Sequence, residues 1–521
     1  MPGLDQRILR QIDHQDVIEH VKADIRSDFI LAPHYNVIFN RVGDELWDQL
    51  QQQLRAGNYE PDLPITISVP KERWFSRPGS ILKPYDRFLY QALADHVTTQ
   101  LEDSLDRERT FSHVPSNDAD KVFEPNHQSW ERFQRSVFNI CDGSSFLLKA
   151  DISHYFERLP QHHLINLMTA TECAPEAVRL LEEMLSAFRE RNSFGIIQGV
   201  FPSDLFGNFF LSDFDAYCEI QNIPSARYVD DIYMGFETEI AARRGLGRLI
   251  ERLRQDGLQL NEFKTSIMPS DDVVQEETAI DRLFDEIRDE LEDDQNYERT
   301  SPYGFEAEWD EDEDDEDDDE EGEEDEVDIE NAAVERLMVS VGDYPEHIDQ
   351  IEKFCLPILR SANSDSAVQY VIDNLQEKPH QTRLYFSYLT TFVRSNQDVT
   401  TALEGLIDVE SAISDYQKMF LLAVLLRAPT IGRPTVNAAL QWLHNQRLAK
   451  EARAMAAIFA ARHGTATQKR AVRTSYEDEP SNYVRSAILY SARHFTPADR
   501  RTCKRAWGAH DQINALISRA I

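Results

Sequence analysis

Two adjacent aspartates, Asp230 and Asp231, stand inside the otherwise aromatic and aliphatic run ARYVDDIYMGF at positions 226–236. A buried carboxylate pair is unfavourable unless a cation compensates it. Successive strand residues face opposite sides of a sheet, so both aspartates can serve one site only at a tight hairpin turn. Hard divalent cations such as Mg²⁺ take carboxylate oxygens and keep room for substrate phosphates, which is the chemistry such a turn would suit. A third carboxylate is offered by FLLKADISHYFERL, where Asp151 ends an apolar run of strand length. Three aspartates on neighbouring strands are enough for two metal ions, which lower the pKa of an attacking hydroxyl and stabilise a departing pyrophosphate. The expectation is a nucleotidyl-transfer site.

Four motifs in order then resemble the palm of the reverse transcriptase family. They are Asp151 with Phe156 five residues on, the loop IIQGVFPSDLFGNFFL with Gln198, Gly199 and Ser203, YVDD from Tyr228 to Asp231, and GLQLNEFKT from Gly257 to Thr265. Ile197 stands where the family usually has proline. VPKERWFSRPGSILKPYDRFLYQAL resembles the family's fingers segment, so the likeness covers about residues 60 to 270.

The resemblance implies a role for each matched residue. Asp151 and Asp230 would ligate the metals, with Asp231 beside them and Ile152, next to Asp151, counted in the metal set. Phe156 would lie under the sugar of the incoming nucleotide and exclude a 2′-hydroxyl. Gln198 and Gly199 would pack against nucleotide and template, glycine permitting close backbone approach. Lys264 would neutralise or protonate the departing pyrophosphate. Lys71, Arg73 and Arg77 are the candidates for gripping the triphosphate. Implied with them are two Mg²⁺ ions, or Mn²⁺, with dNTPs, RNA and DNA strands as partners and self-association as an option.

Blander readings stand beside these. A lone Tyr-x-Asp-Asp string suits a surface turn, Phe156 alone suits a core, and a basic loop is often merely solvated; the motifs' order weighs against the first two. His154, His162 and His163 are not needed by oxygen-ligand chemistry. Tyr476, Tyr483 and Tyr490 offer hydroxyls that could prime synthesis, and packing is the simpler account of each. Five scattered cysteines, without CxxC spacing, read as reduced and mostly buried thiols.

The positioning elements follow from periodicity. Residues 1–59 read as helical, ending at the Gly57-Asn58 turn signal. From residue 61 a strand, a basic loop with Pro-Gly punctuation and an amphipathic helix from Asp86 follow in order. Between 146 and 268 strand-like and helical runs alternate, read as a mixed sheet with helices packed on it, with LQLNEFKTSIM as its last strand. From 331 to 521 helix follows helix at a spacing that allows either stacked, HEAT-like hairpins or an irregular bundle. The fold class is therefore α+β: a right-hand polymerase palm and fingers at 60–285, fused through an acidic linker at 286–330 to an all-α domain.

Charge is distributed unevenly. From Glu306 to Asp328, 19 of 23 residues are acidic and none is basic, so about half of the net charge of −39 sits in one block. Residues 433–521 carry 15 Lys or Arg against 6 Asp or Glu, a basic stretch suited to nucleic-acid backbones despite the acidic total. The block reads as a self-repelling linker, the alternative being a nucleic-acid mimic. No apolar run approaches the length of a membrane span, and the charged first residues lack a signal-peptide core, so a cytoplasmic protein is expected.

A palm followed by a large helical region resembles the bacterial abortive-infection and defence-associated reverse transcriptases, which implies antiphage defence and priming by a 3′-hydroxyl or a protein hydroxyl. The alternatives are a mobile-element enzyme of intron or retron type, and a scaffold or RNA-binding protein with a relic palm. Intact Asp151, Asp230, Asp231 and Lys264 weigh against the relic.

Overall fold

Alternation in ITISVP builds the first strand, β1 (Ile65–Pro70), which pairs antiparallel with β2 (Ser76–Ile81) so that Ile65 faces Ile81 and Pro70 faces Ser76. The computed structural model describes residues 6–116, 121–291, 324–408 and 413–521. Most of the acidic block, 306–323, and the greater part of the expected linker lie outside the described residues. The Pro-Gly pair expected in a loop lies within β2 instead. The ribbon has only two strands, so the missing N–H of Pro78 falls where a proline is tolerated. Gly79 is required by packing: a Cβ there would come within 2.5 Å of Val69 Cγ2. The following helix starts at Pro84, two residues earlier than its amphipathic pattern suggested, with proline in the first turn where its lost donor is harmless (Pro84–Glu102).

The second sheet has the order β4-β5-β3-β6, with β3 at Phe146–Asp151, β4 at Ser225–Tyr228, β5 at Asp231–Phe236 and β6 at Ser266–Pro269. All its ladders are antiparallel, which corrects the expected mixed sheet. β3 and β4 do run in the same direction, but β5 folds back between them and pairs with both. Among the described residues the one parallel contact is an isolated bridge from Thr110 to Arg227. LQLNEFKTSIM is strand only over its end; Asn261 makes a turn of its middle, its Oδ1 accepting from the Phe263 N–H and its carbonyl from the Lys264 N–H.

Each face of this sheet has its own apolar cluster. Leu147, Tyr228 and Tyr233 pack with Phe133 and Val137 of the helix Asn126–Asp142, while Leu148, Ile232 and Met234 join the main core beside Leu249 and Leu253 of the helix Glu239–Gln255. All five cysteines are free and buried, as expected. No helix among the described residues is long and apolar enough to cross a membrane.

The N-terminal helices Gln6–Gln11, His14–Ile25 and Pro33–Ala56 form as expected, the last closing on Gly57 at φ 69°. They are tied to the helix Pro84–Glu102 by a buried ion group. Arg87 Nη2 lies 2.6 Å from Asp24 and 2.9 Å from Asp28.

After residue 324 every described element is a helix or helical turn. The helices Ile348–Ser361, Thr382–Phe392, Asp415–Leu425, Lys450–His463, Asn482–Ser491 and Gln512–Ala520 form one row, each packing on the next named. Val368–Asn374, Gln397–Asp408, Arg433–His444 and Ala466–Asp478 form a second row beside it. Glu451 to Ala461 are all buried, which only a helix enclosed on every side requires. The first row ends against the N-terminal segment, where Gln53 Nε2 donates to Gln512 Oε1 at 2.9 Å. The helix Ala279–Leu291 packs with these helices, Phe284 standing edge-on to Phe354 at 5.4 Å.

Removing one partner of a buried charge group strands the others, typically at about 3–5 kcal/mol. Arg87→Ala should lower the unfolding free energy by about that amount in urea melts; a loss below about 1 kcal/mol would contradict the buried role assigned to Arg87.

Candidate active site

The register of β3 against β5 sets Asp151 directly opposite Asp231. Directly paired residues project to the same face, so their carboxylates share one side of the sheet. The hairpin β4–β5 turns through Val229 and Asp230, because Tyr228 already pairs with Asp231. Asp230 therefore stands at the turn beside that pair, and its carbonyl accepts the Ile152 N–H at 3.2 Å. The hairpin that two adjacent aspartates required is present.

The turn is strained and pinned. Val229 has φ 55°, a left-handed conformation that a β-branched side chain rarely adopts. Its N–H donates to Ser112 Oγ at 2.7 Å, and its carbonyl accepts from Arg227 Nη1 at 3.3 Å. Arg227 is only 1% exposed, and all its nitrogens have partners. Nε and Nη2 donate to Asp215, and Nη1 and Nη2 to the side chain and carbonyl of Asn208. Thr110 Oγ1 adds a bond to Asp215 at 2.9 Å. A buried, fully paired guanidinium thus fixes the turn from beneath.

The electrostatics are those of crowded carboxylates. Burial, then the charges of Asp231 and Asp151, push Asp230 up to about 7. Burial and Asp151 push Asp231 up to about 6. Lys264 Nζ lies 3.2 Å from Asp151 Oδ1, placed there because the Asn261 N–H donates to the Asp151 carbonyl at 2.8 Å and holds the following turn against β3. Burial draws Lys264 down, but Asp151, Asp231 and Asp230 outweigh it and hold its ammonium above the usual value.

The other expected residues divide. Lys71 and Arg77 both feel the charge of Asp230; burial, and for Lys71 also Arg77 and Lys264, draws them below their ordinary values. Arg73 is exposed in the tip turn between β1 and β2, at φ 55°, beside exposed Trp74 and Phe75. Phe156 is buried, its ring so close to Gly207 that a Cβ there would meet it at 2.9 Å. Gly199 adopts φ 83°, and a Cβ would strike the Phe29 ring at 2.5 Å, so the Gln198-Gly199 loop needs its glycine for both reasons. Ile152 is buried and bridges Leu260.

The three histidines do not gather at the aspartates: His154 lies by Glu157, His162 by Glu182 and His163 by Asp256. Tyr483 and Tyr490 are buried, and Tyr476 stacks on Trp507, as packing would have it. Phe29, Ser112, Asn208, Asp215 and Arg227 escaped sequence reasoning. The arginine beside the aspartate motif was the only available signal, and nothing local marks its partners.

Among the described residues no three His, Cys, Asp or Glu side chains converge into a ready cage for an ion. The donor set nonetheless fits a hard divalent metal. Three carboxylates meet one exposed lysine, and the raised pKa values of Asp230 and Asp231 show negative charge there that the protein's own cations only partly offset.

Residues 69–283 match the family model described as reverse transcriptase (RNA-dependent DNA polymerase). The chain carries a reverse transcriptase domain and, with it, RNA-directed DNA polymerase activity. No curated protein compared with it matches. Solved structures similar to it include Candida albicans telomerase in complex with a fragment of telomeric RNA, at 11% identity over 70% of each chain with a TM-score of 0.31. Apo telomerase from Candida tropicalis is 8% identical over 91% of this chain and 73% of that one, also with a TM-score of 0.31. Likeness at that level decides nothing about activity.

Carboxyls raised by folding stabilise the protein while protonated, and that contribution is lost as pH rises through about 6 to 7. With EDTA present, the Tm of the wild type should fall relative to that of Asp230→Asn between pH 5 and 8. Parallel curves would contradict the crowding.

Proposed function

We propose that the protein is a divalent-metal-dependent DNA polymerase of bacterial antiphage defence, working in the cytoplasm and adding dNMP to a 3′-hydroxyl or a protein hydroxyl with release of pyrophosphate. The observation that carries the polymerase part is the β3–β5 register, which sets Asp151 against Asp231 with Asp230 at the adjoining turn. Reverse transcriptase domains in general depend on a divalent metal. Asp151, Asp230, Asp231 and the carbonyl side of Ile152 would hold it; when bound, it supplies charge that activates the attacking hydroxyl and stabilises the departing oxygen.

The chain's own residues do the rest. Lys264, kept protonated by the three carboxylates, is positioned to meet a released pyrophosphate with charge or a proton. Lys71 and Arg77 offer cations at the same place, and burial strengthens what they would give to a triphosphate. Phe156, backed by Gly207, presents a rigid ring against which a 2′-hydroxyl would clash, selecting dNTP over rNTP. Gln198 and Gly199 would support nucleotide and template.

The two helical rows after residue 348 are proposed to be a stacked, HEAT-like solenoid, supported by the regular contact of each helix with the next in its row. The basic stretch 433–521 on these rows would meet RNA or DNA backbones. The defence assignment rests on the likeness of that architecture, palm then helical array, to the abortive-infection enzymes.

Purified protein with Mg²⁺ or Mn²⁺ and labelled dNTPs, with and without RNA, should incorporate label. An Asp230→Ala/Asp231→Ala variant should lose at least about a hundredfold in rate. No incorporation under any condition, or equal incorporation by the variant, would sink the polymerase reading. Label retained on the protein after nuclease digestion would identify a protein primer. Phe156→Val should raise rNTP use relative to dNTP about tenfold or more in competition assays, and an unchanged ratio would remove Phe156 from sugar selection.

A further inference from the structure

The Phe29 ring is the meeting point of two arginines from distant parts of the chain. Arg77 of β2 lies over it with Cζ 4.3 Å from the centroid, and Arg383, in the first turn of the helix Thr382–Phe392, lies 5.8 Å from the same centroid. Two guanidiniums on one ring repel each other. Among the described residues neither Nε has a hydrogen-bond partner, although both are buried, and neither arginine has a carboxylate within ion-pair distance. Asp28, whose carboxylate feels the charge of Arg383, is already hydrogen-bonded to Arg87.

A third group faces the same place. Tyr416, in the first turn of the helix Asp415–Leu425, is 2% exposed, and its hydroxyl is unpartnered among the described residues. Its helix packs on the helix that carries Arg383 and on β1, the partner strand of Arg77's β2, and both arginines' charges act on the hydroxyl. Gln381, also buried, has an unpartnered Nε2 two residues before Arg383, and the helix that follows it has no side-chain cap. Buried donors are normally satisfied, and several orphaned together beside uncompensated positive charge describe a missing anion. A phosphate, with several strong acceptor oxygens and a double charge, matches bidentate guanidiniums and a hydroxyl donor.

We propose that Arg383 and Tyr416 of the helical region complete, with Arg77, a phosphate-binding site at the edge of the palm. The helical region is then part of the substrate machinery. The site rests on the polymerase reading for its ligand, and the incoming nucleotide's polyphosphate is the favoured source, because Arg77 and Lys71 also feel Asp230. A phosphodiester of a bound strand carries the same chemistry.

The test uses the full chain. Without metal, tripolyphosphate should raise the Tm of the wild type, and Arg383→Gln should abolish the rise while Arg55→Gln, an exposed control in the N-terminal helices, leaves it. Tyr416→Phe, which keeps the ring, should reduce the rise and carries the test if Arg383→Gln folds poorly. With dNTP as the source, Arg383→Gln raises KM for dNTP about tenfold and leaves kcat within about threefold. With a strand as the source, KM stays and the salt slope of RNA binding falls by about one phosphate contact. Variants indistinguishable from wild type in all three readouts overturn the site. An Arg383-dependent Tm shift in a protein that incorporates no dNTP would sink the polymerase reading and leave the phosphate site standing.

Discussion

Three carboxylates brought together at the ends of two paired strands repel one another, and most of the surrounding structure serves to hold them there. The register of β3 on β5 cannot slip by one residue without turning Asp231 and Tyr233 to the opposite face. The turn that presents Asp230 requires a left-handed valine, a conformation that persists only where its surroundings over-determine it. Ser112 and Arg227 supply that constraint from below, and Asp215 and Asn208 hold Arg227. Among the described residues, Lys264 supplies the one direct ion pair to these carboxylates. The site is therefore an electrostatic problem left partly unsolved by protein groups alone, which is the condition under which a cationic cofactor and a charged substrate bind.

A second layer frames this centre. The N-terminal helices meet the Pro84–Glu102 helix through Asp24, Asp28 and Arg87, and the last helix, Gln512–Ala520, returns to the N-terminal segment. Phe29 lies where these parts converge, against Gly199 and under Arg77. Two glycines that look like turn punctuation border Phe29: at Gly199 a Cβ would strike its ring, and at Gly79 a Cβ would strike Val69 with Phe29 Cβ close behind.

Much of the site was legible because its chemistry is local. Adjacent aspartates imply a tight turn and an apolar run ending in Asp151 implies a strand end, whereas Lys264 is marked only by the family resemblance of GLQLNEFKT. The hidden parts are those decided by distant pairings. Ser112 and Val229 are separated by more than a hundred residues, and no pattern near either marks the bond. The sheet read as mixed because helices separate its strands, whereas β5 slips between the two that run in parallel. Pro78 and Gly79 read as loop because propensity cannot tell an isolated ribbon from a turn. Arg383 was unreadable for the same reason: its partner is a phenylalanine from the other end of the chain.

We propose that Asp151, Asp230 and Asp231 form one cation-binding centre. Mn²⁺ binding followed by electron paramagnetic resonance, in the presence of dNTP at pH 7.5, tests it most directly. The wild type should take up Mn²⁺, and Asp151→Asn and Asp230→Asn should each lose that uptake while remaining folded. Equal binding by the wild type and both variants would contradict the account.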